Sequence, residues 1–534
     1  MRHNLSITIR VILVYLLLPL LTFFSAHAQR KAVNTANQVI TTGFMQQSIG
    51  YLASDSLLGR DTPSPGLDSA ASYIMRQFRS FGLKPLNGSF YQDLDYCYLE
   101  LGPENLLSVS DGNQTHNFKI KTDFIPFDVT GDKTVEAPVV FAGYGITAPE
   151  YNYDDYEGMD VKGKIVLVLR QEPGQTDSTG KVFMGKESTR YSNLREKIKI
   201  AKDHGAIGML VVSGPLNYTS LRPRGYPWPS LSKTLPRDAL PIGICSTITE
   251  KIPVVHIGEQ VVNLLLGNVD SLKKIQQGIE DQLKPNSFAI PGKVIAMKTT
   301  MILHPIGGRN VIGYLEGSHP ERKKELVIIG GHYDHVGFIK EHKPDTDYIY
   351  NGADDNASGT SGVLAVAKAF TSMPERPDRS VLFIAFAGEE KGLLGSATYV
   401  KEPLLPLENT VAMINLDMIS RNHPDSLEIL GAKQNPDLTR IVRKQNKKIG
   451  MILKESHSNH MDGGSDHQSF YRKGIPDIFF FTDVHKDYHQ VNDNPDRTDP
   501  EKAARVSRLV FLTAWYIAND THRYKLIREE MEED

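Results

Sequence analysis

The second half of the sequence alternates apolar runs with helical segments, and this alternation constrains the fold more than any other feature. From about Lys298 onward, apolar runs predict strands over residues 326–331, 381–387 and 411–416. Helical segments follow these runs at 361–372, 391–400 and 436–449. Such alternation predicts an α/β sheet with helices on both faces.

The middle of the chain has a different pattern. Buried-strand runs at 138–145, 163–169 and 205–212 are separated by turn residues, and a Pro-rich loop follows at 223–236. The region carries almost no cluster of metal-capable or nucleophilic side chains, which favours a structural or substrate-lid domain over a second active site. We therefore predict a β-rich domain over 129–296, inserted between segments 29–128 and 297–528 of a second domain.

The first 28 residues are typical of a secretory signal peptide. Arg2 and Arg10 precede the apolar run 11–24, and Ala26 and Ala28 form a small-residue cleavage pattern. The alternative, a membrane anchor, is disfavoured because the run has 14 residues and contains Pro19, whereas a span takes about 20 apolar residues. We expect cleavage before residue 29 and export, periplasmic or secreted, without stable membrane insertion.

Charge and cysteine content exclude two further classes. Lys and Arg total 60 against 63 Asp and Glu, so the chain lacks the basic excess that nucleic-acid binding needs. Only Cys97 and Cys245 are present, which is too few for a disulfide scaffold. One bridge and two free thiols are both compatible with the sequence. The oligomeric state cannot be read from the sequence. The acidic end, 529–534, is expected to be a solvated tail.

Side chains that can bind a metal follow the predicted strands at their carboxyl ends, where ligands gather in open α/β sheets. They lie in these segments: His332-Tyr333-Asp334-His335, Asp354-Asp355, Glu389-Glu390, Asp417, Ser465-Asp466-His467 and Asp487-Tyr488-His489. Burying so many like charges at one sheet edge without a cation would be prohibitive. Mixed imidazole and carboxylate ligands without thiolate indicate Zn²⁺ or a similar divalent ion.

The order of these motifs resembles the co-catalytic zinc exopeptidases of metallopeptidase family 28, which includes secreted aminopeptidases and glutamate carboxypeptidases. The resemblance covers residues 298–525 motif by motif and 30–126 more loosely. It implies a mixed, mostly parallel central sheet with helices on both faces. The region 129–294 is similar to the protease-associated (PA) domain that many members insert.

The resemblance also implies two Zn²⁺ ions and a ligand for each position of the family motif. His332 and Asp417 would serve one zinc, Glu390 and His489 the other, and Asp354 would bridge both. A cis peptide bond between Asp354 and Asp355 is expected with this bridge.

The remaining roles concern protons and orientation. Glu389 matches the general base, and Asp334 matches the carboxylate that orients His332. Tyr488 is either a hydrogen-bond donor to the oxyanion or a packing residue at its loop.

The implied activity is removal of N-terminal residues from peptide substrates by a zinc-activated water. Three alternatives remain: a glutamate-carboxypeptidase-type enzyme, a glutaminyl-cyclase-like enzyme and an inactive receptor-like binding protein. A carboxypeptidase needs a cation for the substrate carboxylate, and the sequence does not place its candidates, Arg421 and Arg472.

Some polar residues near the motifs receive structural interpretations. His335 and His485 are expected to support ligands or face solvent. Ser465-Asp466-His467 resembles a hydrolase triad in composition, but adjacent residues do not form one. We expect this segment to line the pocket.

Overall fold

In a computed structural model of the chain, residues 29–175, 183–185, 188–224, 228, 231, 240–455 and 464–527 are described. The signal peptide expected at 1–28 and the tail at 529–534 lie outside these residues. The chain divides into two compact units. The first unit contains the chain up to Leu94 and from Gly307 onward, and the second spans Asp95–Ile306.

An eight-stranded sheet forms the centre of the first unit. Its strands are β1 (Tyr91–Asp93), β2 (Arg309–Leu315), β3 (Leu326–His332), β4 (Ser380–Phe386), β5 (Thr410–Leu416), β6 (Ser426–Leu430), β7 (Ile452–Glu455) and β8 (Asp477–Phe481). They are ordered β1-β2-β4-β3-β5-β8-β6-β7. Pairs β4/β3, β3/β5, β5/β8 and β6/β7 are parallel and the other pairs are antiparallel. The predicted mixed, mostly parallel sheet is confirmed.

Helices cover both faces of this sheet. They are α1 (Thr42–Leu52), α2 (Pro65–Ser80), α3 (Gly359–Thr371), α4 (Leu394–Lys401), α5 (Pro436–Asn446), α6 (His467–Arg472) and α7 (Pro500–Asn519). Leu382 on β4 belongs to a buried cluster with Tyr399 of α4 and Phe470 of α6. The next residue, Phe383, points to the other face, where its ring lies 5.7 Å from Phe370 of α3.

The second unit is β-rich, as predicted. The strands of its larger sheet, in spatial order, are Thr115–Asn117, Leu106–Ser110, Ser287–Thr299, Lys133–Ala142, Ile165–Leu169, Gly208–Val212, Val254–Ile257 and Phe124–Pro126. A smaller sheet contains Ile242–Ile244, Tyr96–Leu101 and Met301–Ile306, and a two-stranded sheet pairs Thr147–Ala148 with Tyr153–Asp154. Its helices include Leu194–Asp203, Glu259–Leu266 and Val269–Gln282.

The second unit extends beyond the boundaries expected at residues 129 and 296. Its smaller sheet pairs Tyr96–Leu101 with Met301–Ile306, and its larger sheet pairs Leu106–Ser110 with Ser287–Thr299. These strands close the sheets of the second unit, so the structural boundaries move outward to Asp95 and Ile306.

Cys97 and Cys245 form a disulfide within the second unit. This resolves the choice that the sequence left open. Among the helices in the described part of the chain, none has the length and apolar character needed to cross a bilayer.

Candidate metal centre

Three neighbouring parallel strands deliver polar side chains to one edge of the central sheet. Strand β3 ends at His332, β4 ends just before the turn that carries Glu389 and Glu390, and β5 is followed by Asp417. Since β3 pairs in parallel with both β4 and β5, the three carboxyl ends meet at the same edge. His489 reaches this edge from the loop after β8.

One group of possible metal ligands forms around Asp355 and Glu390. Nε2 of His489 lies 3.1 Å from Oδ2 of Asp355 and 3.1 Å from Oε2 of Glu390. Nδ1 of His335 lies 2.8 Å from Oε1 of Glu390 and 3.7 Å from Oδ2 of Asp355. One donor atom from each of these four residues falls within 4.8 Å of the others, which is compatible with a single cation.

A second group shares Asp355 with the first. Nε2 of His332 lies 3.3 Å from Oδ1 of Asp355 and 3.3 Å from Oδ2 of Asp417. All three side chains are buried, and their donor atoms again lie within 4.8 Å of one another. The two oxygens of Asp355 therefore face different groups.

The residue between the two groups is Asp355, and the prediction that Asp354 bridges them is wrong by one position. Oδ1 of Asp354 accepts hydrogen bonds from the main-chain N–H of Ser420 at 2.8 Å, the Ser420 hydroxyl at 2.7 Å and the Ser358 hydroxyl at 3.0 Å. These bonds turn its carboxylate toward the segment after β5. The cis peptide bond correspondingly joins Asp355 to Asn356, and the one expected between Asp354 and Asp355 is not there.

A carboxylate that the sequence analysis missed fixes this loop. Asp493 is fully buried, and its oxygens accept hydrogen bonds at 3.1 Å from the main-chain N–H groups of Asp354 and Asp355. Burial raises the pKa of Asp493 to about 6. Its position in a loop, 138 residues beyond Asp355, gave no sequence signal for this contact.

The structure brings Glu389 and Asp334 beside His332. Oε2 of Glu389 lies 4.0 Å from Nε2 of His332. The main-chain N–H of Glu389 donates to Oδ1 of Asp334 at 3.1 Å. Nδ1 of His332 lies 3.2 Å from the main-chain oxygen of Asp334 and 3.7 Å from its Oδ1. Thr62 also donates to the Asp334 carboxylate, at 3.2 Å. Asp334 thus contacts both the Glu389 turn and the His332 ring.

Burial and mutual charge shift the pKa values of the cluster in opposite directions. Burial raises the pKa of Glu389 well above its usual value, although His332 opposes this, and burial likewise raises the pKa of Asp417. Burial also acts to raise the pKa of Asp355, but hydrogen bonds from His332 and His489 outweigh it and hold that pKa well below its usual value. Neighbouring carboxyl groups of the cluster thus have pKa values shifted in opposite directions.

Ser465 supports Asp417 and does not act as part of a Ser-Asp-His triad. Its hydroxyl donates to Oδ2 of Asp417 at 2.8 Å and accepts from the side chain of Asn415 at 2.7 Å. The ring of His467 instead lies 4.6 Å from the Phe479 ring. Asp466 is buried, and burial raises its pKa to about 7.

The side chains of both histidines set aside in the sequence analysis are buried, 0% exposed for His335 and 3% for His485, which excludes a solvent-facing role. His335 contacts Glu390, as described above, and Nε2 of His485 lies 3.4 Å from Oδ2 of Asp354. The Tyr488 ring is 39% exposed and stacks on the His489 ring, with centroids 3.9 Å apart. Tyr488 therefore packs against a possible ligand, while its hydroxyl role stays a prediction.

The two arginines that could bind a substrate carboxylate have protein partners. Arg421 Nη2 lies 2.6 Å from Oδ2 of Asp487 and its Nη1 lies 3.6 Å from Oδ1 of Asp493. Arg472 lies on α6, and its Nη2 donates to the side chain of Gln468 at 3.1 Å. Arg421 is thus paired with two carboxylates of its own chain.

The donor set fits divalent cations. Oδ1 of Asp417, within the cluster, is a buried polar atom without a hydrogen-bond partner. Such atoms are costly unless an ion or water completes them. Both cysteines are in the disulfide, so neither provides a thiolate ligand. The available ligands are imidazole nitrogens and carboxylate oxygens, a set that suits zinc.

An α/β sheet with a cluster of His and carboxylate side chains at its strand ends is typical of metal-dependent enzymes. Residues 310–514 match the model of peptidase family M28, and residues 135–265 match the PA domain. The chain therefore has a peptidase family M28 domain over 310–514 and a PA domain within its second unit.

Several known proteins are similar to this chain. Aminopeptidase YwaD of Bacillus subtilis is 27% identical over 402 residues, covering 72% of this chain and 70% of the relative. A probable leucine aminopeptidase of Trichophyton verrucosum is 24% identical over 355 residues, covering 63% and 92%. The solved structure of a zinc aminopeptidase from Bacillus subtilis aligns with 92% of this chain and 98% of its own, at 21% identity and a TM-score of 0.43.

Proposed function

We propose that this chain is a zinc-dependent aminopeptidase whose centre holds two ions. The observation that carries the proposal is the position of Asp355, whose two oxygens face separate groups of His and carboxylate ligands. Asp355, Glu390 and His489 would hold one ion, and Asp355, His332 and Asp417 the other. Bound in this way, zinc supplies a water nucleophile of lowered pKa and polarises the scissile carbonyl.

Glu389 would accept the proton of the attacking water and transfer it to the leaving amine. Its carboxylate lies 4.0 Å from Nε2 of His332, whereas the carboxylates of Asp355 and Asp417 each lie 3.3 Å from that atom. A base has to keep a free lone pair, and a raised pKa improves proton transfer near neutrality. Burial provides this upward shift in the pKa of Glu389.

Three further side chains would support this chemistry. Asp334 accepts the Glu389 main-chain N–H and so fixes the turn that presents the base. His335 donates toward Glu390 Oε1 at 2.8 Å and would orient that ligand. Tyr488, whose ring stacks on that of His489, would donate its hydroxyl to the oxyanion that develops on the substrate.

Similar proteins and the pairing of Arg421 both indicate which terminus of the substrate is cleaved. Two relatives named above are described as aminopeptidases. A carboxypeptidase requires a cation free to bind a terminal carboxylate, whereas Arg421 is already paired with Asp487. Both points favour cleavage next to a free amine over a free carboxylate.

The test compares aminoacyl anilides with N-acetylated versions of the same compounds. The purified full chain should hydrolyse the free-amine substrates, lose activity in a chelator and regain it with zinc. Glu389→Gln should lower kcat by about 10²- to 10⁴-fold, while Glu408→Gln, exposed at the other end of β5, serves as the matched control. Full activity with chelator, or in Glu389→Gln, would refute the mechanism, and a preference for N-acetylated substrates would refute the aminopeptidase assignment.

We further propose that the protein is exported after cleavage before residue 29. The disulfide Cys97–Cys245 supports this, since such bonds persist in oxidising compartments. N-terminal sequencing of the protein from the periplasm or medium should begin at Gln29. Recovery of the uncleaved chain from the cytoplasm alone would contradict the proposal.

A further inference from the structure

Arg60 is a buried arginine that bonds main-chain carbonyls in place of a carboxylate. Its side chain is 0% exposed. Nε donates to the oxygen of Tyr333 at 2.9 Å, Nη1 to those of Asn351 at 2.7 Å and of Leu52, and Nη2 to that of Gly352 at 3.0 Å. Within the described part of the chain, no carboxylate oxygen lies within 4 Å of its guanidinium nitrogens.

Burying a cation without an ion pair is energetically unfavourable. The buried charge of Arg60 therefore needs a physical explanation. Burial lowers the pKa of Arg60 to about 10, while the charges of Asp334 and Asp355 oppose the shift. The guanidinium therefore stays protonated at neutral pH. Its five N–H donors form a rigid fork, which a lysine ammonium cannot reproduce.

The backbone of residues 58–60 is strained, and hydrogen bonds fix it to the loop that follows His332. Leu58, Gly59 and Arg60 all have left-handed φ values, 46°, 70° and 49°, an arrangement that persists where surrounding structure enforces it. A Cβ at Gly59 would lie 2.1 Å from the oxygen of Gly337. The main-chain oxygens of Gly59 and Arg60 accept from Gly337 and His335 at 3.1 and 3.2 Å.

Three of the four carbonyls that Arg60 bonds, those of Tyr333, Asn351 and Gly352, belong to the two loops that carry the ligands. Tyr333 directly follows His332, and Gly352 lies three residues before Asp355. One planar group thus links both loops by bonds of 2.9 and 3.0 Å. The link fixes the spacing between the loops without touching any ligand side chain.

We propose that Arg60 is a positioning residue that sets the distance between His332 and Asp355 and so determines how tightly the centre binds metal. The inference rests on the proposed two-ion centre. It assigns a function to the segment 57–60, which the sequence analysis left without one.

The experiment measures zinc affinity of the folded full chain by competition with a chromophoric chelator. Arg60→Lys keeps the charge and loses the fork, and it should weaken zinc binding by about 10- to 100-fold. Arg379→Lys is the matched control, because Arg379 is also 0% exposed and bonds Glu325, Ile517 and His522. It precedes β4, at the end of the sheet opposite the metal centre, so its zinc affinity should stay within about twofold of wild type.

The outcomes separate this inference from the proposed function. Failure of the wild-type chain to bind zinc would refute the centre itself. Zinc binding by Arg60→Lys that equals that of Arg379→Lys would overturn only the role of Arg60.

A second variant covers the case in which Arg60→Lys does not fold. Asn351→Ala removes side-chain bonds to Ala53 and Asp55, both 2.8 Å, which anchor the loop that Arg60 holds at Asn351 and Gly352. It should weaken zinc binding at least about fivefold. An affinity within twofold of wild type would then overturn the proposal.

Discussion

Oδ1 of Asp355 lies 3.3 Å from Nε2 of His332. The other oxygen of the same carboxylate lies within 3.1 Å of a second imidazole, that of His489. The carboxylate of Asp355 thus faces both ligand groups, which is the arrangement that the proposed two-ion centre requires.

Substitution of the two adjacent aspartates should have different consequences. Asp355→Asn removes one shared anionic oxygen, and we expect loss of zinc on dialysis and a fall in kcat/KM of at least about 100-fold. Asp354→Asn should retain zinc, because that carboxylate bonds Ser420 and Ser358; it should instead lower the free energy of unfolding by about 1–3 kcal/mol. Metal analysis and denaturant titration of both variants check the prediction, which the reverse pattern would contradict.

Ser465 should influence metal retention through Asp417. Ser465→Ala removes the hydroxyl that donates to Oδ2 of Asp417 at 2.8 Å, and loss of such a support lowers metal affinity about 10- to 100-fold. Ser507→Ala is a suitable control, since its buried hydroxyl bonds the main-chain oxygen of Ala503 within α7. Equal zinc dissociation constants for the two variants would count against the assigned role.

The disulfide should stabilise the second unit. It closes a separation of 148 residues between Cys97 and Cys245, and removing a native bridge costs about 2–5 kcal/mol. The double variant Cys97→Ser/Cys245→Ser should therefore unfold at lower denaturant concentration than wild type. Adding a reductant should shift the wild type toward the variant and leave the variant unchanged, whereas coincident unfolding curves without reductant would be evidence against a stabilising bridge.

His256 should make the protein less stable in acid. Its ring is 0% exposed, and burial lowers its pKa from 6.5 to about 4. Between these values the unfolded chain binds a proton that the folded chain does not, so stability is lost as the pH falls from about 6.5 to 4, by up to about 3 kcal/mol. Denaturant titrations at pH 6.5 and 4.5 should show a smaller loss for His256→Asn than for wild type. An equal loss in both proteins would refute this contribution.

Apolar runs predicted the central strands closely because these strands are buried on both faces. The run 326–331 became Leu326–His332, and 411–416 became Thr410–Leu416. Helix starts were less well predicted. The helix expected from 391 begins at Leu394, because Gly392 and Leu393 have left-handed φ values of 100° and 62°.

The wrong or missing predictions concern which way a side chain points and which residues, distant in sequence, are in contact. In Asp354-Asp355 both residues have the right chemistry, and only the folded loop decides which carboxylate points toward His332. The domain boundary was missed because Tyr96–Leu101 pairs with a strand about 200 residues away. Arg60 was missed because its partners are main-chain carbonyls, which no side-chain pattern in the sequence can reveal.

The most direct test of the account is the zinc stoichiometry of the full chain, measured by titrating the metal-free protein with zinc under a competing chelator. We predict two ions per wild-type chain, and fewer in Asp355→Asn at the same free zinc concentration. One ion or none per wild-type chain, or an unchanged count of two in Asp355→Asn, would contradict the shared centre.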